Sequence, residues 1–519
     1  MATTAPPPIA AANLSRSQLS WLMGGLLLGL FLSSTEQSVV ATALPTMAGE
    51  LGAASRIAWV VSAYLLTSTI TTPLYGKMSD LFGRRIVYQT SIAVFVVGSA
   101  LCALSQSINQ LVAARAVQGL GGGGLMSLAF VIVGDVVSPR ERGRWIGLFT
   151  TVFTVSAITG PLWGGLLVDG PGWRWIFWAV VPVALIALAV TNRGLRLPFA
   201  TRQRPIDWLG IALLVVASTG LILVPIWGGE AYGWTSWQLM AAGAVGVVGT
   251  ALFAWQEQRA VEPIIPLRLF RDRTVVAIFI MGFCLMASLL SVTTFMPLFL
   301  QVATGVTATR SGLMMIPQSI GISLMATAGG LLVTRTGRYK WTMLVGGAVA
   351  AGGLALLTRI GPDTGALDLA PTLFILGVGL GLIFPNLTLS VQNAAGVEDL
   401  GIATSTSNFF RSMGGAFGAA IAGALLTRKL DGELVDRLGA SRLAELGGAE
   451  GLVRTPKVVH DLPDELRRAV VEAVATSVVW VITLAIPLLI FVWLVALVVK
   501  ETPLRTNSAL GGGTTTPPE

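Results

Sequence analysis

"GKMSDLFGRR", residues 76–85, and "GLLVTRTGRY", residues 330–339, are two versions of one segment set 254 positions apart. Gly76 lies over Gly330, Gly83 over Gly337 and Arg84 over Arg338. Upstream, Pro45 falls opposite Pro297 at an offset of 252. Downstream, residues 143–168 overlie 401–426 without a gap at an offset of 258, pairing Gly160 with Gly418 and Gly165 with Gly423. An offset that drifts by only six positions across several loops marks a duplication. The chain is therefore read as two related halves.

The solvent of those halves follows from composition. Of 519 residues, 54% are hydrophobic and only 12% charged, the balance of a chain that lives mostly in lipid. Fourteen apolar runs recur along it, each of roughly 20 residues, the length of helix that crosses a ~30 Å hydrocarbon layer. They lack the two-residue alternation of a barrel strand, so each reads as a helix that satisfies its own backbone. Six runs fall in each repeat, and two, within 207–255, have no counterpart.

The expected fold is an all-α membrane protein with fourteen transmembrane helices arranged six, two, six. Its parts are a disordered tail (1–19), a first bundle (20–192), an inserted helix pair with linkers (193–273), a second bundle (274–500) and a second disordered tail (501–519). Residues 428–471 read as an external segment in which "DELRRAVVEAV" (464–474) is an amphipathic helix running into the last span. The single histidine, His460, reads there as a solvated side chain.

The net charge of +8 is not a nucleic-acid signal, because the cations sit in short loops between spans, where they set orientation. Seventeen Lys and Arg lie in the loops after spans 2, 4, 6, 8 and 10, against Arg56, Arg174, Arg310 and Arg359 in the short loops on the other side. This places both termini in the cytoplasm. The loop 393–401, with Glu398 and Asp399 and no cation, runs against the trend.

Cys102 and Cys284 fall in apolar runs and read as buried small hydrophobes. "GLGGGG" (119–124) fits a dinucleotide pattern but lies inside a span with no preceding strand, so it reads as close helix packing. No metal, nucleotide or nucleophile constellation emerges, and neither a cofactor nor an enzyme activity is expected.

Three charges do lie within spans, where each costs about 2.5–3.5 kcal/mol and usually faces a partner or a cavity. Glu36 stands at helical spacing from Gly25, Gly29 and Ser33, a small polar stripe that aims it at the bundle interior. Arg115 enters span 4 at a similar depth. Arg411 shares a face with Thr404, Asn408, Gly415 and Gly418. Their repeat positions hold Ser288, Leu373 and Phe153, so each charge belongs to one half only. Glu36 is therefore read either as one side of a structural ion pair or as a proton-exchange site: desolvation raises a carboxyl pKa and a neighbouring guanidinium lowers it, and both remain open. Arg115 is equally an anchor or a participant. Gln37, Phe384 and Asn386 are candidates for a substrate cavity, with helix packing as the alternative.

These residues resemble the major facilitator superfamily, in its fourteen-span drug:proton antiporter branch, over about residues 20–500. "LYGKMSDLFGRRIV" (74–87) is similar to the superfamily's loop motif through Gly76, Asp80, Gly83, Arg84 and Arg85. "LVAARAVQGLGGGG" (111–124) is similar to its span-4 motif through Arg115, Gln118 and Gly119, and "ITGPLWGG" (158–165) to its antiporter motif through Gly160, Pro161, Gly164 and Gly165. "NFFRSMGGAFG" (408–418) resembles the span-13 signature of the branch. The resemblance implies the major facilitator fold, a cytoplasmic latch at 76–85 in which Asp80 meets Lys77, Arg84 and Arg85, and a hinge or seal at Pro161 whose second-half equivalent, Ala419, has lost the proline. It also implies Glu36 as the proton carrier, although relatives usually carry Asp there.

The function expected is proton-coupled efflux of amphipathic small molecules across a bacterial cytoplasmic membrane by a monomer. The alternatives are export of an anionic metabolite or lipid, uniport or import, and a non-transporting sensor or scaffold.

Overall fold

Glycines decide where the chain turns and how closely its helices approach. The computed structural model describes residues 16–51, 58–194, 206–228, 232–306, 308–361, 364–396, 399–440, 443, 459, 462–501 and 504. His460, Arg56, Glu398 and nearly all of the two expected tails lie outside the described residues.

The first helices are α1 (Arg16–Leu51), α2 (Ala58–Phe82), α3 (Arg84–Leu104), α4 (Ile108–Val136), α5 (Pro139–Asp169) and α6 (Arg174–Gly194). They are followed by α7 (Trp208–Trp227) and α8 (Trp237–Glu257). The rest are α9 (Arg273–Thr304), the short α10 (Ala308–Met314), α11 (Ile316–Thr336), α12 (Lys340–Leu357), α13 (Ala366–Ala394), α14 (Leu400–Leu438) and α15 (Asp464–Val498). Among the described residues, thirteen spans, with α10 and α11 counted as one, are long and apolar enough to cross a membrane. The fourteenth long helix, α2, carries Lys77 and Asp80 near one end.

Helix ends are set by local chemistry. Asp207 accepts from the Gly210 amide at 2.8 Å and Asp272 from the Thr274 amide at 2.7 Å, each satisfying a donor that an α-helix start leaves unpaired. Gly83 and Gly337, equivalent in the repeat, have φ of 90° and 71°. A residue with a Cβ is strained in that region, which is why both copies of the tight turn keep glycine.

The two halves pack by the same pairings. α1 lies on α5 and α6, and α3 and α4 lie on each other, while α2 packs on α4 and α3 on α6. The repeat partners do likewise: α9 on α14 and α15, α12 on α13, α11 on α13, and α12 on α15. α7 and α8 pack on each other, and α7 also touches α2 and α14. The glycines of 119–124 let α4 sink between its neighbours: Gly119 and Gly123 abut Tyr64 and Ser68 of α2, and Gly121 abuts Ser91 and Phe95 of α3.

Between the halves, α5 meets α11 and α2 meets α14. At the end of the molecule that carries Arg84 and Arg338, here the basic end, a Cβ on Gly143 would come 2.8 Å from the Gly330 carbonyl oxygen, and one on Gly76 3.1 Å from that of Gly401. Both contacts join the same repeat-related pair of positions, so one requirement for closeness explains all four glycines.

Two boundaries differ from the sequence reading: α1 begins at Arg16, four residues inside the tail expected over 1–19, and a second lies at the far end of α14. α14 runs on to Leu438, taking the first residues of the segment expected at 428–471 into helix, where Leu430 and Leu434 are fully buried. "DELRRAVVEAV" opens α15 and continues into its span.

Gly143→Val is expected to prop the basic ends of the halves apart. Spin labels at Glu141→Cys and Arg338→Cys should then show a longer distance by pulsed electron paramagnetic resonance than in the glycine parent, and an unchanged distribution would refute this role for the contact.

Candidate functional site

The Gly25, Gly29, Ser33, Glu36 stripe of α1 faces inward. Gly25 abuts Thr191 of α6, Gly29 abuts Tyr88 of α3, and Ser33 Oγ lies 3.2 Å from the Tyr64 hydroxyl of α2. One turn on, Glu36 Oε1 accepts from Arg115 Nη1 of α4, and both residues are 1% exposed.

The guanidinium is held on several sides. Nη1 also donates to Gln118 Oε1 at 2.6 Å, Nε donates to the Val60 carbonyl at 3.1 Å, and its carbon stands 4.4 Å from the centre of the Tyr64 ring. Such a pair persists without water only when geometry and extra hydrogen bonds compensate for lost hydration. The other carboxylate oxygen, Oε2, is buried with no hydrogen-bond partner among the described residues. The centre thus has one anchored oxygen and one free to accept a proton. Gln37 is the next residue along α1 and is half-buried.

At the basic end the segment 76–85 is arranged differently from the expected latch. Asp80 pairs with Arg84 at 2.5 Å, but Lys77 turns to Glu262 at 2.8 Å and Arg85 to Asn192. Arg84 is the hub: its Nε donates to Asp135 of α4 at 2.6 Å, and it also bonds Ser79. Asp80 reaches the other half, since a Cβ on Gly401 would lie 2.5 Å from its Oδ1. Nearby, Gln392 donates to the Phe130 carbonyl at 2.9 Å and Arg140 to that of Thr334 at 2.9 Å. A linker lies across this end, held by Lys77–Glu262 on one side and by Arg268–Asp399 at 2.7 Å on the other. Glu257 stiffens its start by accepting from the Ile264 and Ile265 amides at 3.0 and 3.1 Å.

In the 158–165 segment, Gly160 and Gly164 seat α5 against Ser38 and Thr42 of α1, while Gly165 has open space around it and does not serve this seam. α5 runs through Pro161 as one helix, and Ser156 joins the seam by accepting from Ser34 at 2.7 Å and Thr35 at 2.9 Å. Asn386 is fully buried and donates to the Leu382 carbonyl of its own helix at 2.7 Å, while its Oδ1 has no hydrogen-bond partner among the described residues. Phe384 lies instead beneath Arg411, whose guanidinium carbon is 5.0 Å from the ring centre.

Sequence reasoning missed Tyr64, Asp135 and Glu262 because nothing near them in the chain names their partners. It also counted Arg142 as a loop cation, whereas Arg142 is 2% exposed and caps the carbonyls of Val137, at 2.9 Å, and Gly134. The signal within reach was the pairing of acids at span ends with loop cations.

Arg115→Gln leaves Glu36 buried without its counter-charge and is expected to destabilise the protein by about 3–5 kcal/mol. The double variant Glu36→Gln with Arg115→Gln should recover most of that loss in detergent unfolding, and equal losses for single and double variants would refute the charge balance.

The sequence model of the Major Facilitator Superfamily matches residues 26–419. The chain is 35% identical over 480 residues to the multidrug transporter protein MdtP of Bacillus subtilis, covering 89% of this chain and 88% of the relative. It is 30% identical over 492 residues to multidrug resistance protein 3 of the same organism, covering 94% and 96%. Among solved structures it resembles the human organic anion transporter MFSD10 (TETRAN), with a TM-score of 0.60, 14% identity and coverage of 93% of this chain and all of that one, a likeness of fold. These relatives are transporters, not enzymes, and the helical architecture agrees with theirs. The chain belongs to the Major Facilitator Superfamily of membrane transporters.

Proposed function

We propose that this transporter is a proton-coupled efflux antiporter of amphipathic small molecules. The observation that carries the reading is the Glu36 carboxylate, held at one oxygen by Arg115 and unpartnered at the other, inside the bundle and away from lipid. Protonation of Oε2 would discharge the ion pair and free Arg115 to let α1 and α4 move relative to each other. The loop cations place the basic end in the cytoplasm. Residues 20–192 and 274–500 then act as the two bundles that rock about a site between them, with 193–273 as the inserted pair.

In the state described here the basic end is closed by Asp80, Arg84 and Asp135 and by the two close glycine contacts. Opening it toward the cytoplasm breaks the Asp80 approach to α14. Gly160 and Gly164 form the seam along which α1 slides on α5, with Pro161 as the hinge of that helix, and Gln37, next to Glu36 in the chain, is read as part of the cargo cavity. Because Glu36 is sealed in this state, it exchanges its proton in another state of the cycle. The linker tied by Lys77–Glu262 and Arg268–Asp399 is read as a strap that moves with the gate. The similarity to bacterial multidrug transporters supports a bacterial cytoplasmic membrane and an extruded cargo, with the chain working as a monomer.

Glu36→Gln is expected to remain folded and membrane-inserted but to abolish extrusion driven by an imposed proton gradient in reconstituted vesicles. Gradient-driven efflux persisting in that variant would remove Glu36 from coupling. For the strap, Lys77→Glu should lower efflux in cells, and adding Glu262→Lys should restore it by re-forming the pair with reversed charges. Failure of the double variant to improve on the single one would sever the strap from the gate.

A further inference from the structure

We propose that the corner formed by Arg411, Asn408 and Phe384 seats an anionic group of the cargo, so that the transported molecule is an amphipathic anion with a carboxylate, sulfonate or phosphate head. The proposal rests on the reading of the chain as an exporter and specifies what it carries.

Arg411 lies about eleven residues into α14, roughly 16 Å from its start and so well inside the membrane. Its stem passes Gly282 of α9, where an added Cβ would come 2.8 Å from Arg411 Cγ. The absence of a side chain there gives the arginine its room. The guanidinium sits over the Phe384 ring, and its one hydrogen bond among the described residues is a long one, 3.5 Å from Nη1 to Asn408 Oδ1. No carboxylate pairs with it among the described residues, and it is half-buried rather than sealed.

Asn408, giving its oxygen to Arg411, leaves Nδ2 buried and without a hydrogen-bond partner among the described residues. Two side chains one helical turn apart therefore hold unmet donors, and none of the unmet groups on either is an acceptor. A planar fork of N–H groups beside an amide donor matches the oxygens of a carboxylate or phosphate.

Charge balance points the same way. Of the three charges that the sequence places within spans, Glu36 and Arg115 neutralise each other, and Arg411 has no acid paired with it among the described residues. A cation–π contact alone is a weak substitute for a counter-ion in a low-dielectric site. The ring of Phe384, against which the guanidinium already rests, offers an apolar surface for the body of the molecule. A cationic drug would meet only repulsion from Arg411.

The test is equilibrium binding to the purified full chain in phosphatidylcholine nanodiscs, with no proton gradient. The probes are dansyl-undecanoic acid, its methyl ester and the corresponding dansyl-alkylamine. The acid is expected to bind at least ten-fold more tightly than the ester or amine, with that preference lost in Arg411→Gln and partly kept in Arg411→Lys. Should Arg411→Gln fail to fold, Asn408→Asp supplies an internal counter-ion and should likewise abolish the preference.

Equal binding of acid and ester, or an intact preference in both folded variants, would overturn the proposal. Repeating the measurement with phosphatidylglycerol in the nanodisc separates the sources of the anion: competition by the lipid makes its headgroup the occupant, and no competition leaves a small molecule. Because binding needs no gradient, it stands even if Glu36→Gln keeps driven efflux, so failure of proton coupling and failure of anion recognition are distinguishable.

Discussion

A carboxylate inside a membrane bundle has to be neutralised, and in this protein the guanidinium of Arg115 does it. The pair joins α1 to α4, and its supporting bonds add α2 through the Val60 carbonyl and the Tyr64 ring. Three helices of the first half are thus arranged around one charge. The surrounding structure serves that arrangement. Small residues on α1 leave space on the same face, and the glycines of α4 bring its backbone close enough to α2 for Arg115 to reach both Val60 and Glu36.

The second half has the same helix pairings but not the same centre. At the positions equivalent to Glu36 and Arg115 stand Ser288, which donates to the Ala485 carbonyl at 3.4 Å, and Leu373, which is fully buried. An apolar residue packs there at no electrostatic cost, so the second half is stable without an ion pair. Its own charge, Arg411, sits elsewhere and has no acid paired with it among the described residues. The duplication therefore supplies a symmetric scaffold, and the charged residues make the halves chemically unequal. Such inequality is what a coupled transporter needs if one half handles the proton and the other the cargo.

The contacts between the halves show how symmetry limits motion. Gly143 against Gly330 and Gly76 against Gly401 are related by the repeat, and each brings backbone within reach of backbone. At the second contact side chains also take part, Ser405 against Gly76 and Asp80 and Arg84 against Gly401. The ion pairs that cross the same end, in contrast, are individually modest and partly exposed to solvent. They are suited to being broken and remade.

Much of this was legible in the chain. The offsets revealed the duplication, run length revealed the spans, and helical spacing placed Glu36 on an inward stripe, because each depends only on residues near in sequence or on comparison of the chain with itself. The fates of Lys77, Arg85 and Arg142 were not legible, nor was the role of Asp135 as partner of Arg84, since a long flexible cation in a loop reaches whichever acceptor tertiary packing brings within a few ångströms. Phe384 gained its meaning only from Arg411 on another helix, a contact that no spacing in the sequence encodes.

Composition and repetition alone determined that this chain spans a membrane many times in two related halves, because hydrocarbon imposes those requirements on every segment separately. Which charges meet, which glycines touch and which arginine is left without an acid were decided by tertiary structure, because those outcomes depend on the relative placement of helices far apart in the chain.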